Sequence, residues 1–589
     1  MRILLIATAY NGLTQRTHLE LTALGHEVSL EFALSAEILR EGVGLFRPDL
    51  IICPFLKDRI PDDIWENRTC IIIHPGIKGD RGTSSMDWAM MEGVEEWGVT
   101  ALQATDVMDA GDIWASATFK RRPVNKARMY RHEVTEAGMQ VIRDTITRFT
   151  SGIYFPEALD YTDPDTKGKL RLPMTQKDRA IDWQRDHVDA IIRKVYSADN
   201  QPGVLDTLFG EQYYLYGAHR EGKLLGNPSQ VIAWRQDAIC IAAVNGAVWI
   251  SHLRKKASPP EKHFKLPATR VLADALRDIP ERPLDTLYKG GAKESFFDAI
   301  CLGLDNTYNE IWYHEENDVG YLAFDFYNGA MDTGKCHRLR EAFLAARQRP
   351  TRVIVLSCGM DFWSNGIHLH VIEAAQDPAK EAWENINAID DLIHAIITTD
   401  TQLVISAMLG NAAAGGLILA LAADEIYARH GIVLNPHYKT MGLYGSEYWT
   451  YLLSRRTGWE QALRLTEDCL PIDTERAYDL LLIDGIIYSD GYDFYRHVAR
   501  LAEHLAHVPD YDIRLQLKAE QRRLDERKRP LAAYREQELA EMKKCFFDRG
   551  HVYPQCGVDF HTARRNFVHN IRPAATPERL ARHRKREGA

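Results

Sequence analysis

Three rhythms of apolar and polar positions follow one another along this chain. From residue 1 to about 164, aliphatic runs at Ile3 to Ala7, Leu50 to Cys53 and Cys70 to Ile73 alternate with helical patterns such as THLELTALG, where Gly25 supplies the stop. Apolar runs of this length without polar alternation belong to strands covered on both faces, and their alternation with helices predicts a parallel-sheet α/β domain. AIDWQRDHVDAIIRKVYS then predicts a helix. Behind it, QYYLYGAHRE and SQVIAWRQDAICIAAVNGAVWISHL alternate every second residue and break at glycines, which predicts antiparallel strands closing into a small β-barrel within 165–270.

KKASPPEKHFKLPATR is rich in Pro and Lys without a sustained period and opens a linker that continues through 271–305. From 306 the βα rhythm returns in VGYLAFDF, the helical HRLREAFLAARQR, TRVIVLSC, and QLVISAML running into GNAAAGGLILALAADEIYA, giving a second α/β domain to 505. Residues 506–589 are charged and helical, as in RRLDERKRPLAAYREQELAEMKKCFF, and ARHRKREGA reads as a frayed tail.

Composition narrows the function classes. A chain of 589 residues exceeds what one core holds, and its 45% hydrophobic and 26% charged residues are those of a soluble globular protein. The formal charge of -10 argues against a general nucleic-acid binder, which needs basic surface to displace counterions. Ala412 to Ala423 is the longest apolar stretch and is too short to span a bilayer. MRILLIATAYNG reads as a first strand, not a leader. The nine cysteines are scattered without a CxxC pair, which predicts reduced thiols in a cytoplasmic protein and no metal site.

The first chemical signal is IIIHPGIKGDRGTSSMDWA, residues 71 to 89, where a buried strand runs into His74 and a glycine-rich polar loop. The C-terminal edge of such a strand is where open α/β sheets place their chemistry. GVTALQATDVMDAGDIWA follows at 98 to 115. Taken singly, His74 is an ordinary strand-end histidine and Asp109 an ordinary turn residue. In this order, HPG, then Arg81-Gly82, then G-x-T-x(8)-D-x-G resembles the 10-formyltetrahydrofolate-dependent formyltransferases. The resemblance implies a Rossmann-like catalytic domain over 1–164 and a formyl group flanked by His74 and Asp109, where an imidazole stabilises the tetrahedral oxyanion and a carboxylate holds it. That family has Asn-x-His where this chain has Ile72, a lost donor worth ~3 kcal/mol by analogy with other oxyanion sites. A thiol acceptor, being more nucleophilic than an amine, needs less help. Residues 165 to 255, with Ile181-Asp182-Trp183 ahead of the strands, resemble the OB-like accessory domain of transfer-RNA formyltransferases. Gln15 and Arg131 are expected to meet the folate, Arg131 at its carboxylate tail, although each is as readily a surface residue.

The second signal is a pair of strand-to-helix junctions, FWSNGIHLHVIE at 362 to 373 and AMLGNAAAGGLILALAADEIYA at 407 to 428. With LTEDCLPIDTERAYDLLLIDGIIY they resemble the crotonase, or enoyl-CoA hydratase, superfamily over 306–505. The resemblance implies an oxyanion hole from the N–H groups of Ile367 and Gly415, with Ser364, Gly366 and Gly416 shaping the coenzyme A site. Hydratases carry a glutamate at the position of Ile418 and another near His437 and Tyr438, so water addition is poorly supported. Tyr438 and Glu447 are the expected proton donor and acceptor, with His437 as an alternate. In the C-terminal helical extension, Lys543, Lys544 and Phe546 are expected to close over the coenzyme.

A formyl-folate site fused to a CoA-thioester site resembles the HypX (HoxX) family of hydrogenase maturation proteins. That resemblance implies carbon monoxide synthesis for a [NiFe]-hydrogenase: formyl transfer from 10-formyltetrahydrofolate to coenzyme A, then decarbonylation of formyl-CoA. The alternatives are a formyl-CoA-forming transferase or hydrolase that releases formate, and a non-catalytic folate- and CoA-binding assembly factor. The expected partners are the two small molecules and hydrogenase maturation proteins, without nucleic acid or membrane.

Overall fold

The computed structural model describes residues 1–258, 261–289, 296, 297, 300 and 306–571; ARHRKREGA and the later part of the predicted linker lie outside the described residues. Strands β1 (Arg2–Ala7), β2 (Glu27–Phe32), β3 (Leu50–Cys53), β4 (Cys70–His74), β5 (Glu96–Gln103) and β6 (Ile113–Lys120) form one sheet in the order β2-β1-β3-β4-β5-β6. The aliphatic runs of β1, β3 and β4 are buried almost throughout and pair parallel, as their composition predicts. β5 and β6 depart from the expected parallel sheet and run antiparallel. The segment between β4 and β5 contains only the helix Ser85–Met91, which spans about 10 Å and is too short to carry the chain back along the sheet.

The middle module is antiparallel in the order β7-β8-β11-β10-β9, made of β7 (Val204–Leu208), β8 (Glu211–Glu221), β9 (Val231–Arg235), β10 (Ala238–Ala243) and β11 (Gly246–Lys255), with the short β12 (Leu266–Pro267) against β11. Among the described residues its end strands β7 and β9 are not paired, so the predicted barrel is seen as an open path. The predicted helix from Ala180 starts later, at Val188–Ala198. Asp182 and Asp186 accept backbone N–H groups at 184 and 182 and so compete with helix hydrogen bonding there.

The third sheet, β13-β14-β15-β17-β19-β21, comprises β13 (Ile311–Glu316), β14 (Val319–Phe324), β15 (Val353–Cys358), β17 (Leu403–Met408), β19 (Glu425–Arg429) and β21 (Gly485–Ile487). It is parallel except for the β13–β14 hairpin. A small parallel sheet of β16 (Phe362–Ser364), β18 (Asn411–Ala413) and β20 (Leu434–Asn435) lies beside it. The Ala412 to Ala423 run divides into β18 and the helix Gly415–Leu421, whose residues are all buried. Among the described residues no helix is long and apolar enough to cross a membrane.

The extension supplies helices Tyr511–Lys528, Leu531–Phe547 and Phe560–Val568. Leu531–Phe547 packs against Pro378–Ile397 and Trp449–Thr457. The first and third domains meet through ion pairs, Arg128 with Asp325, Arg131 with Asp361 at 3.2 Å and Glu136 between Arg16 and Arg429 at 2.6 and 2.7 Å, and through a hydrogen bond between His132 and Asp490 at 2.8 Å. Burial pushes the Glu136 carboxyl up, but the charges and hydrogen bonds of Arg16 and Arg429 outweigh it and hold it down at about 2.

Two candidate active sites

His74 ends β4 with 5% of its surface exposed. Its Nε2 lies 3.1 Å from Asp80 Oδ2, and its Nδ1 lies 3.5 Å from Asp109 Oδ1. Each ring nitrogen therefore faces a carboxylate, and the ring N–H has an acceptor in either tautomer. Gly76 is required between them: a Cβ there would stand 2.4 Å from His74 Nε2 and 2.6 Å from Asp80 Oδ2. Asp109 adopts φ +55° in the loop between β5 and β6. That loop leaves β5 opposite Ile71 yet reaches back to His74, and Arg81-Gly82 pins it: Gly82 N–H donates to Asp109 Oδ2 at 3.2 Å and Arg81 Nε to the Met108 carbonyl at 3.1 Å.

Asp80 was not among the expected site residues. It stands in a polar glycine loop, where an aspartate reads as turn chemistry, and only the folded chain puts it against the imidazole at 2% exposure. The cleft beside His74 and Asp109 has a volume of about 530 Å³ and is lined by Phe55, Trp65, Ile72, Met108 and Tyr130 among others. That size suits a small-molecule ring system. Ile72 faces it where the formyltransferase pattern has an amide.

Gln15 and Arg131 do not line this cleft. Gln15 Nε2 donates to the Tyr10 carbonyl at 2.8 Å and ties down the start of its helix. Arg131 donates to Asn328 Oδ1 at 2.6 Å, pairs with Asp361 and stacks over Phe362 at 4.6 Å, so it faces the third domain. Successive helix positions diverge by about 100°, which is why Tyr130 faces the cleft and Arg131 leaves it.

In the second site Gly366, at φ +74°, brings its backbone against Gly415: a Cβ on Gly366 would lie 3.4 Å from the Gly415 nitrogen. Gly415 opens its helix, so its N–H has no acceptor within that helix. The preceding Ala414 is strained at φ +48°, ψ -129°. Ile367 follows Gly366 and bridges Met331. Ser364 Oγ accepts from Gly366 N–H at 3.1 Å and thus shapes this turn from within, fully buried. Gly416 cannot carry a side chain, since a Cβ would lie 2.1 Å from the Ser364 carbonyl oxygen.

Glu447 closes on this junction. A Cβ on Gly415 would stand 2.1 Å from Glu447 Oε1, while Oε2 accepts from Tyr438 Oη at 2.8 Å and Ser446 N–H at 2.9 Å. Burial and the neighbouring Asp390 push the Glu447 carboxyl up to about 8, and burial followed by the Glu447 charge pushes the Tyr438 phenol well above its ordinary range. His437 Nδ1–H donates to the Asn435 carbonyl at 3.0 Å, and burial lowers its pKa. The site thus offers backbone N–H groups, a phenol and one carboxyl that holds its proton at neutral pH.

Lys543 and Lys544 are both exposed, and Lys544 pairs with Glu541 at 2.6 Å within its own helix. Phe546 is fully buried in the core. The extension reaches the second site through other residues: Glu538 accepts from Tyr448 N–H and Thr450 N–H at 2.8 Å each, and Gly445 N–H approaches Met542 Sδ at 3.3 Å. The lysines face solvent, whereas the contacts come from the buried face of the same helix, where Glu538, Met542 and Phe546 follow one another at i, i+4 spacing.

A formyltransferase fold bearing a histidine–carboxylate cleft, joined to a crotonase-like fold bearing a glycine-built strand-to-helix junction, defines a class of two-domain fusion proteins. The family models agree: Formyl transferase matches 32–146, Formyl transferase, C-terminal domain matches 173–265, and Enoyl-CoA hydratase/isomerase matches 317–567. Hydrogenase maturation factor HoxX of Bradyrhizobium diazoefficiens is 44% identical over 587 residues, 99% of this chain and 97% of that protein. The crystal structure of HypX from Aquifex aeolicus in complex with tetrahydrofolic acid superposes with a TM-score of 0.91 at 39% identity, covering 99% of each chain. A methionyl-tRNA formyltransferase of Trichlorobacter lovleyi is 24% identical over 222 residues, 37% of this chain and 68% of that protein. The chain belongs to the HypX/HoxX family of hydrogenase maturation factors.

Proposed function

We propose that this protein makes carbon monoxide for a [NiFe]-hydrogenase, using 10-formyltetrahydrofolate and coenzyme A as substrates. The first half-reaction belongs to the His74 cleft, and the tetrahydrofolate complex of the Aquifex aeolicus relative supports folate as its ligand. The thiol of coenzyme A attacks the formyl carbonyl beside His74, the imidazole steadies the oxyanion, and the folate nitrogen leaves with a proton moved by His74 and its carboxylates Asp80 and Asp109. The second half-reaction belongs to Ile367, Gly415, Tyr438 and Glu447. The backbone N–H groups polarise the thioester carbonyl and Glu447, as carboxylate, takes the formyl proton. The carbon–sulfur bond then breaks as carbon monoxide leaves, and that proton passes to the departing thiolate. Atoms balance without water: formyl thioester gives carbon monoxide and thiol.

The observation that carries this reading is that one carboxyl, Glu447, reaches the oxyanion-hole glycine, with Tyr438 on its far oxygen. Moving one proton from carbon to sulfur needs one such group, whereas hydration needs a second to activate water. The domains we assign to these steps are 1–164 and 306–505, with 165–270, 271–305 and 506–589 as accessory module, linker and extension. The test supplies formyl-folate and coenzyme A to the whole chain with haemoglobin as carbon monoxide trap. The carbonyl-haem spectrum together with free tetrahydrofolate is expected. Stoichiometric formate without that spectrum would establish the hydrolase, and neither product would establish a non-catalytic assembly factor.

A further inference from the structure

The loop that carries Glu447 sits in a conformation it does not hold by itself. Glu447 and Tyr448 adopt φ +63° and +60°, two consecutive side-chain-bearing residues in the left-handed region. Such residues are strained and persist only where their surroundings over-determine them. Two carboxylates from distant helices supply that hold. Asp390, fully buried on the helix Pro378–Ile397, accepts from Ser446 Oγ at 2.7 and 2.8 Å on its two oxygens and from Glu447 N–H at 2.9 Å. Glu538, fully buried on Leu531–Phe547, accepts from Tyr448 N–H and Thr450 N–H at 2.8 Å each.

We propose that Asp390 is a positioning residue for the second site, holding the Glu447 loop in place and imposing its negative charge on the Glu447 carboxyl. This rests on the proposed role of Glu447. The groups that face Glu447 are Tyr438 and Ser446 from its own segment, Asp390, Glu538, and Cys336 from the helix Thr333–Ala346. Arg535 Nε lies 3.6 Å from Asp390 Oδ2 and, with Ser446 Oγ and Glu447 N–H, favours the charged form of Asp390 against burial, which lifts it to about 6. At neutral pH Asp390 is therefore charged while Glu447 keeps its proton. Tyr438 Oη and Ser446 N–H both donate to Oε2, so that proton belongs on Oε1, the oxygen against Gly415. The oxygen against Gly415 is thus the one that loses this proton to become the base, and Asp390 holds it there through Ser446 Oγ and Glu447 N–H.

The test separates charge from position. Asp390→Asn keeps the shape and removes the charge; Asp390→Glu keeps the charge and displaces it by one methylene. The carboxylic-acid infrared band that Glu447→Gln lacks reports Glu447 directly in the full chain. Its midpoint in Asp390→Asn is expected about one pH unit lower than in the wild type, since a like charge has been removed. The pH limb of carbon monoxide release should move with it, and tetrahydrofolate release should stay unchanged. In Asp390→Glu the midpoint should stay while carbon monoxide release falls at least tenfold. An unmoved midpoint in Asp390→Asn, or wild-type release in Asp390→Glu, overturns the proposal, and the second variant decides it if the first does not fold. If the wild type releases no carbon monoxide, the reaction reading fails, while the infrared midpoint still decides the role of Asp390.

Discussion

His74 and Glu447 are both enclosed by protein, yet their surroundings are opposite. His74 has a carboxylate at each ring nitrogen and opens on a cleft, and its partners come from residues 80 and 109 of the same sheet edge. Among the described residues the titratable groups facing Glu447 are acidic, and the two carboxyl groups that anchor its loop come from residues 57 and about 90 positions away. The first arrangement orients a ring from both of its nitrogens at the wall of an open cleft. The second destabilises negative charge on a carboxyl and so stores a proton. One local motif is enough to build the first; the second needs three helices to converge.

The sharpest way to break this comparison is to disable each site alone. His74→Ala should lower tetrahydrofolate release by about 10³-fold and stop carbon monoxide with it, since nothing reaches the second site. Glu447→Gln should spare tetrahydrofolate release and lower carbon monoxide release by about 10²-fold. Equal loss of both products in Glu447→Gln would mean the sites are not separable. Parallel assays of the two products settle both cases.

The stored proton gives a pH signature. Carbon monoxide release should rise as pH passes through about 8, where Glu447 becomes a base. For stability the sign is opposite. The folded pKa of Glu447 lies above its unfolded value, so the folded chain holds the extra proton; the associated stability is complete below about pH 4.5 and is lost as pH rises through about 8. Urea unfolding of the full chain at pH 7 and pH 9 should show a drop that is smaller in Glu447→Gln.

Smaller effects separate packing from surface. Gly76→Ala forces a methyl against His74 and Asp80, so it should displace the imidazole and slow formyl transfer by about tenfold while leaving Glu447 chemistry intact. Lys544→Ala removes an exposed pair with Glu541 and should change stability by under about 0.5 kcal/mol and coenzyme A affinity not measurably, read by calorimetry. A large loss of affinity there would restore the lysines to the coenzyme site.

The sequence by itself determined the strands whose apolar runs β1, β3, β4, β15 and β17 are buried on both faces, because such runs leave little else for a chain to form. It also carried the family, and it offered His74, Asp109, Gly415, Tyr438 and Glu447 as candidates through their motifs. Only the tertiary structure decided the antiparallel turn at β5, the late start of the helix at Val188, the outward course of Arg131, and the parts played by Asp80, Asp390 and Glu538. The reason is physical: an isolated aspartate or glutamate in a sequence is most simply read as solvated. What makes these three different is the loss of water and, for Asp390 and Glu538, the approach of groups far along the chain, and neither is written in local pattern.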